Sequence, residues 1–363
     1  MAKYKLGDIC EIVSGSTPKT SIEEYWDGDI KWITPAEIND DTYIVTDSVR
    51  KITDLGAKKT GLSPFPEGTV ILSSRAPIGK VAIAGCAMCC NQGFKNLICS
   101  EKILNKYLYW FLKGNTSFLN SLGRGATFKE ISKSIVSQIE INVPDIEYQK
   151  EAADILEKVS EVIYLRKQEL TALDNLINAR FVEMFGDPVS NSNGLPESTL
   201  PELGEFGRGI SKHRPRNDPK LLGGDYPLIQ TGDVANAGLY ITSYSSTYSE
   251  LGLKQSKMWD NGTLCITIAA NIAKTSILKF DACFPDSIVG FNANEKTNNI
   301  FIHYWFSFFQ AILESQAPES AQKNINLKTL SELKVIVPVK DKQDKFVEFI
   351  KQVDKSKVIE IIK

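Results

Sequence analysis

PEGTVILSSRAPIGKVAI (66–83) and DNGTLCITIAANIAKTSI (260–277) are two versions of one phrase. Laid on each other, Gly68 meets Gly262, Thr69 meets Thr263 and Lys80 meets Lys274, at an offset of about 194 residues, the kind of long-period self-similarity that decides an architecture. The match extends outward in both directions. YWF at 109–111 returns at 304–306, and upstream GDIKW (28–32) falls on GDYPL (224–228). Downstream, GATFKEISKSIVSQIEINVPDIEYQ (125–149) lies on ESAQKNINLKTLSELKVIVPVKDKQ (319–343), with Pro144 on Pro338 and Gln149 on Gln343. Identity is low but the order of parts is kept, and small drifts in the offset are what loop insertions produce.

Each copy reads as a mixed domain. TVILSS, KVAIAG and SQIEINV, then TLCITIA and SELKVIVP, are short runs rich in β-branched residues and punctuated by Gly and Pro, as strands are. ILNKYLYWFLKG (103–114) and NIFIHYWFSFFQAIL (299–313) carry a helical pattern. Between the copies, EYQKEAADILEKVSEVIYLRKQELTALDNLINARFVEMFG (147–186) has no Pro and no internal Gly. Ala152, Leu156, Val159, Ile163, Leu170, Leu173, Ile177 and Met184 follow a 3/4 spacing, the seam of a long packed helix, interrupted by Arg166 and Arg180. Such a helix would be about 60 Å long. The second copy is followed by a similar start, DKQDKFVEFIKQVDKSKVIEIIK (341–363), with Phe346, Ile350, Val353 and Ile361 near one stripe.

The expected organisation is a mixed α/β (α+β) chain of two similar domains, 1–146 and 188–341. A spacer helix at 147–187 and a shortened helix at 342–363 complete a pseudo-two-fold arrangement. A length of 363 residues suits two domains, and 42% apolar with 24% charged residues suits a folded chain. No apolar run approaches the roughly 18–20 residues of a membrane span, and MAKYKLGD lacks a signal-peptide core, so a cytoplasmic protein without membrane contact is expected.

Net charge is −2, which argues against broad nucleic-acid affinity while leaving room for local basic surfaces. The seven cysteines lack a disulfide framework. Cys86 and Cys89 make one C-x-x-C without a second pair, and the histidines are His213 and His303 alone, so reduced thiols and no metal are expected.

Catalytic signatures are missing. GAKKTG (56–61) and APIGK (76–80) are fragments of a phosphate loop, GRGATF (123–128) and GRGISK (207–212) have two glycines where a dinucleotide site needs three, and no G-x-S-x-G occurs. VPDIEYQK (143–150) has the look of a nuclease cluster, but its Pro144 returns at VPVKDKQ and reads as a strand end. Two similar modules joined by helices suit a partner that offers two related sites, as half-sites on DNA do. GRGISKHRPRNDPK (207–220) holds Arg208, Lys212, Arg214, Arg216 and Lys220 against Asp218, and reads either as a phosphate-contacting arm or as a solvated loop.

With these parts in order, the chain resembles, end to end, the specificity subunits of type I restriction-modification systems. SGSTPKTSIEEYWDGDIKWITPAEI resembles the opening of their target-recognition domains, and GTVILSSRAPIGKVAI, CNQGFKNLI and GATFKEISKSIVSQIEINVP resemble later blocks. The helix closing in ARFVEMFGDP resembles their spacer. The resemblance implies a non-catalytic subunit in which each domain reads one half of a bipartite target in double-stranded DNA. It also implies antiparallel helices that fix the gap and dock two modification (methyltransferase) subunits, with motor-nuclease restriction subunits completing the complex. No cofactor is expected on this chain; S-adenosylmethionine, ATP and Mg would belong to the partners. The competing expectation is a truncated regulatory scaffold that binds modification subunits without reading DNA.

Tyr25, Trp26 and Trp32 are read as packing around their turn in preference to stacking on bases, because the second copy lacks both tryptophans. The expected DNA contacts are polar positions on the same loops. In the first copy these are Lys31, Thr34, Ser74, Arg75, Gln92, Lys95, Arg124 and Lys129; in the second, Arg214, Gln230, Thr231, Asn271, Lys274, Lys323 and Asn324.

Overall fold

The computed structural model describes residues 2–125, 129–316 and 325–362. The chain divides into two units, Met1–Gln168 and Glu169–Lys363.

In the first unit a five-stranded sheet runs Cys10–Ser14, Lys95–Cys99, Val70–Leu72, Val81–Ala84, Ile44–Val45. Neighbours are antiparallel except the last pair. Both faces are apolar, so its strands read as continuous hydrophobic runs. Strand alternation sends Val70, Leu72, Val81, Ile83 and Leu97 to one face, where they meet Leu108, Tyr109 and Leu112 of the helix Asn105–Gly114. Ile71, Ala82, Ala84 and Phe94 go to the other, against Ile33, Phe65, Met88 and Cys90. There a smaller sheet forms from Arg50–Ile52, Trp26–Ile33 and Cys89–Cys90.

The second unit repeats this order strand for strand: Gly204–Arg208, Ile288–Ala293, Leu264–Thr267, Thr275–Leu278, Tyr240–Ile241, again with only the last pair parallel. Its smaller sheet, Ser246–Tyr248, Leu222–Leu228 and Ala282–Cys283, gains an edge strand, Met258–Trp259.

Buried polar clips repeat as faithfully as the strands. Asn105 Nδ2 donates to Gly68 O at 3.0 Å, and Asn299 Nδ2 to Gly262 O at 2.7 Å. Gln149, fully buried, donates to Lys102 O and Pro144 O at 3.0 and 2.9 Å; Gln343, equally buried, donates to Lys296 O and Pro338 O at 3.0 and 2.8 Å. Thr53 and Ser249 each accept from the glycine N–H three residues on, capping a helix start. Groups this buried must be partnered, so the clips are specified by the chain as tightly as the apolar core is.

The central helix runs Ile146–Phe185. Asp145 starts it, its carboxylate accepting from Tyr148 N at 2.9 Å, and Gly186 at φ 80° ends it, its N–H returning to Val182 O at 2.8 Å. Lys106 pairs with Glu157 at 2.7 Å, and Lys167 lies 3.5 Å from Asp41.

The terminal helix, Lys340–Ile362, packs antiparallel to the last turns of the central one, with Phe346 against Phe181 (ring centroids 5.3 Å) and Lys357 2.6 Å from Asp174. Ile177, Phe181, Phe185, Phe346 and Ile350 are all but fully buried there. The seam expected along the whole central helix is covered over this stretch and left open through its middle. Leu156, Val159, Ile163 and Leu170 are 43, 50, 52 and 38% exposed, because the described contacts of the terminal helix reach no further than Asp174. The stripe on the terminal helix is buried at Phe346, Ile350 and Val353. Among the described residues, no helix is long and apolar enough to cross a membrane.

Candidate nucleic-acid interface

In the first unit, five segments converge beyond one end of the large sheet. Ser14 faces Lys95 and Leu72 faces Val81 at that end, so the chain on either side of these strands forms one loop cluster. Ser16 N donates to Cys90 O at 3.0 Å, Ser74 N to Gly93 O at 2.7 Å, Ile131 N to Ser74 O at 2.9 Å and Asn91 N to Ile33 O at 3.1 Å. Lys80 Nζ ties the turn after Thr34 to the cluster through Pro35 O at 2.8 Å. Gly15 is required there, since a Cβ would strike the carbonyl oxygens of Cys90 and Asn91; Gly209 meets those of Phe284 and Pro285 in the second unit.

The expected contacts of this unit separate into three groups. Arg75, Gln92, Arg124 and Lys129 are exposed on the cluster. Thr34 is half-buried and caps a short turn with Glu37, which accepts from Thr34 N at 2.6 Å and Thr34 Oγ1 at 3.0 Å. Ser74 and Lys95 are on the cluster but buried, at 0 and 7% exposure. Lys95 is held by Ser74 Oγ and Glu130 Oε1, each at 3.4 Å. Glu130 also accepts from Arg75 Nε at 2.9 Å, and its backbone pairs with that of Arg124. Lys31 stands elsewhere. Its ammonium donates to Thr46 O at 2.7 Å and lies 3.4 Å from Cys86 Sγ, beyond the opposite end of the strand Val81–Ala84. Position within the small sheet, which the sequence did not reveal, separates it from the others.

The second unit builds the same end of its sheet. Ile268 N donates to Ser287 O and Ile325 N to Ile268 O, both at 3.0 Å. Arg214 Nη2 lies 3.4 Å from Asp286 Oδ2, and Arg216 pairs with the other oxygen of the same carboxylate. Arg214 Nη1 also donates to Ser211 O at 2.6 Å, and Gln255 Oε1 accepts from Lys212 N and His213 N at 2.7 and 3.0 Å. The arm 207–220 is thus a folded loop. Within it the backbone N–H of Lys220, then the His213 ring, hold the Asp218 carboxyl below the usual carboxylate range.

Gln230 is exposed and opens the helix Thr231–Asn236, with Asp233 accepting from Gln230 N at 2.8 Å as Glu37 does from Thr34. Asn271 is exposed and Lys274 half-buried on the loop after Leu264–Thr267. Ala270 and Ala273 of that loop hold φ of 64° and 58°, left-handed values that L-residues avoid. Lys323 and Asn324 lie outside the described residues.

Trp26 and Trp32 are core: 6 and 3% exposed, edge to face at 5.1 Å, with the Arg50 guanidinium 3.5 Å over the Trp26 ring. Glu130 and Asp286 were not expected as site residues. Both were findable, because the repeat places Asp286 opposite Gln92 and Glu130 opposite Asn324, two of the expected contacts. All seven cysteines are free, and burial pushes the Cys89 thiol up to about 11.

The model of the type I restriction modification DNA specificity domain matches residues 1–175 and 197–363. The MjaIX specificity subunit of a type I restriction enzyme of Methanocaldococcus jannaschii is 39% identical over 186 residues, 50% of this chain and 43% of that protein. The HindI specificity subunit of Haemophilus influenzae is 26% identical over 49% of this chain and 40% of its own length. The chain therefore spans less than half the length of either relative. Two solved structures share the fold. One is a chain from work on complex assembly and conformational transition of the type I restriction-modification system, with TM-score 0.55, 17% identity and coverage of 99% of this chain and 91% of that one. The other is the S subunit from M. genitalium, with TM-score 0.54, 16% identity and coverage of 98% and 90%.

Proposed function

Because the chain belongs to the type I restriction modification DNA specificity family, we propose that it is the reading subunit of a cytoplasmic restriction-modification complex. Each unit contacts one half of a split site in duplex DNA. The chain catalyses nothing itself; adenine methylation falls to two modification subunits carrying S-adenosylmethionine, and cleavage to motor-nuclease subunits using ATP and Mg. The central and terminal helices dock the modification subunits.

One observation carries the reading. The same loop end of the same sheet occurs twice, and both times it is populated by cations and amides: Arg75, Gln92, Arg124 and Lys129 in one unit, Arg214, Gln230, Asn271 and Lys274 in the other, where the hydroxyl of Thr231 joins them. Guanidinium and amide groups on rigidly tied loops are what base edges and phosphates call for. Thr34, Ser74 and Lys95 support those loops from below.

A scaffold that binds modification subunits without reading DNA is favoured by one fact, the near balance of 42 basic and 44 acidic residues. Co-expression with the methyltransferase subunits of the same system, followed by genome-wide mapping of N6-methyladenine, separates the two. A split motif with a constant gap is expected; methylation without sequence preference would leave only the scaffold.

A further inference from the structure

At the loop end of each large sheet, one carboxylate grips two cations. In the first unit Glu130 holds Arg75 at 2.9 Å and Lys95 at 3.4 Å. In the second, Asp286 holds Arg214 at 3.4 Å and also Arg216. The two arrangements are not copies of each other. The repeat places Asp286 opposite Gln92 and Val289 opposite Lys95, so the carboxylate and its cations come from non-equivalent positions. Common descent of the units accounts for the sheets and the glutamine clips, but not for this.

Stability accounts for the counter-charge on the buried Lys95, but not for the arginines. The Arg75, Arg214 and Arg216 side chains are 45, 55 and 46% exposed, and ion pairs that open to solvent contribute little. Near a duplex the consequence is larger. A free cation binds the phosphates of any sequence, whereas a cation already neutralised gains less from phosphate, and its carboxylate partner is repelled by the backbone. Specificity is a difference of affinities, and it grows when the unwanted complex is made worse.

We infer that Glu130 and Asp286 set the discrimination of the two reading surfaces, by withholding Arg75, Arg214 and Arg216 from unselected duplex. The inference rests on the DNA-reading assignment above. On a matched site base contacts fix a register in which these cations stay with their carboxylates, off the phosphates; unselected duplex, held by no base, settles against any cation left free.

The test uses the full chain and two labelled duplexes, one carrying the mapped split target and one scrambled, titrated by fluorescence anisotropy between about 50 and 200 mM salt. Asp286→Asn and Glu130→Gln are each expected to tighten binding to the scrambled duplex by about three- to tenfold and to leave target binding within about twofold. Each should also steepen the salt dependence of log K by about 1–2, the slope added by one or two newly available cations. Glu130→Gln leaves the buried Lys95 ammonium without its counter-charge and needs a circular-dichroism check of folding. Asp286→Asn frees only exposed arginines and decides the matter if the first variant does not fold. Unchanged scrambled affinity and slope in Asp286→Asn overturns the inference, as does a loss confined to the target duplex, which would make the carboxylate a reader of base amino groups. Failure of the DNA-reading assignment looks different: the unsubstituted chain would bind both duplexes equally, or neither.

Discussion

Ala270 is exposed and sits at φ 64°, a conformation that costs an L-residue about 1–2 kcal/mol and glycine almost nothing. Set against the greater freedom of glycine in the unfolded chain, Ala270→Gly is expected to stabilise by about 0.5–1 kcal/mol. Its unit should melt about 1–4 °C higher, read by calorimetry. His303 supplies a pH dependence. Burial first, then the Lys357 charge, pushes its pKa down to about 4, while Thr275, 2.9 Å from Nδ1, opposes them. The folded chain refuses a proton that the unfolded chain accepts from about pH 6.5 downward, so stability falls as pH drops from about 6.5 to about 4. A loss on the order of 2 kcal/mol is expected across that window, and denaturant titrations at several pH values should show it flattened in His303→Gln. At this scale the sequence was partly legible. That Trp26 and Trp32 pack inside the core followed from their absence in the second copy; their edge-to-face pairing did not. The burial of Ser74 and Lys95 did not, because it depends on Glu130 arriving from a segment 35 residues beyond Lys95.

Helices and strands were legible where their periodicity was long or their apolar run continuous. The helix Ile146–Phe185 has an unbroken pattern, and Val70–Leu72 and Val81–Ala84 are buried on both faces. The small sheets were not, because Cys89–Cys90 and Ala282–Cys283 are two residues long and owe their pairing to what packs around them. The 3/4 spacing marked a seam on the central helix but carried no information on which turns are covered. Gln149 gives the sharpest test at this level. It accepts from Leu104 N at 2.9 Å and donates to Lys102 O and Pro144 O, joining the start of the central helix to the chain that enters Asn105–Gly114. Gln149→Leu keeps the bulk and orphans three backbone groups, so a loss of about 2–4 kcal/mol is expected in urea denaturation.

For the whole chain, duplication was legible from ordered low-identity blocks, and the strand orders of the two units agree with it. The division of labour proposed for the units makes a separable prediction. Replacing residues 209–216 and 268–274 with the matching loops of a related subunit should change one half of the methylated motif and leave the other half and the gap as they were. Sequencing of methylated genomic DNA checks it, and a change in both halves would refute independent reading. The glutamine clips lie past the ends of Lys95–Cys99 and Ile288–Ala293 that point away from the loop clusters. If the units read DNA as proposed, the vocabulary of either lobe can be rewritten wholesale while its joint to the helical strut stays bolted, so that new addresses on the chromosome arise without renegotiating how the machine is assembled.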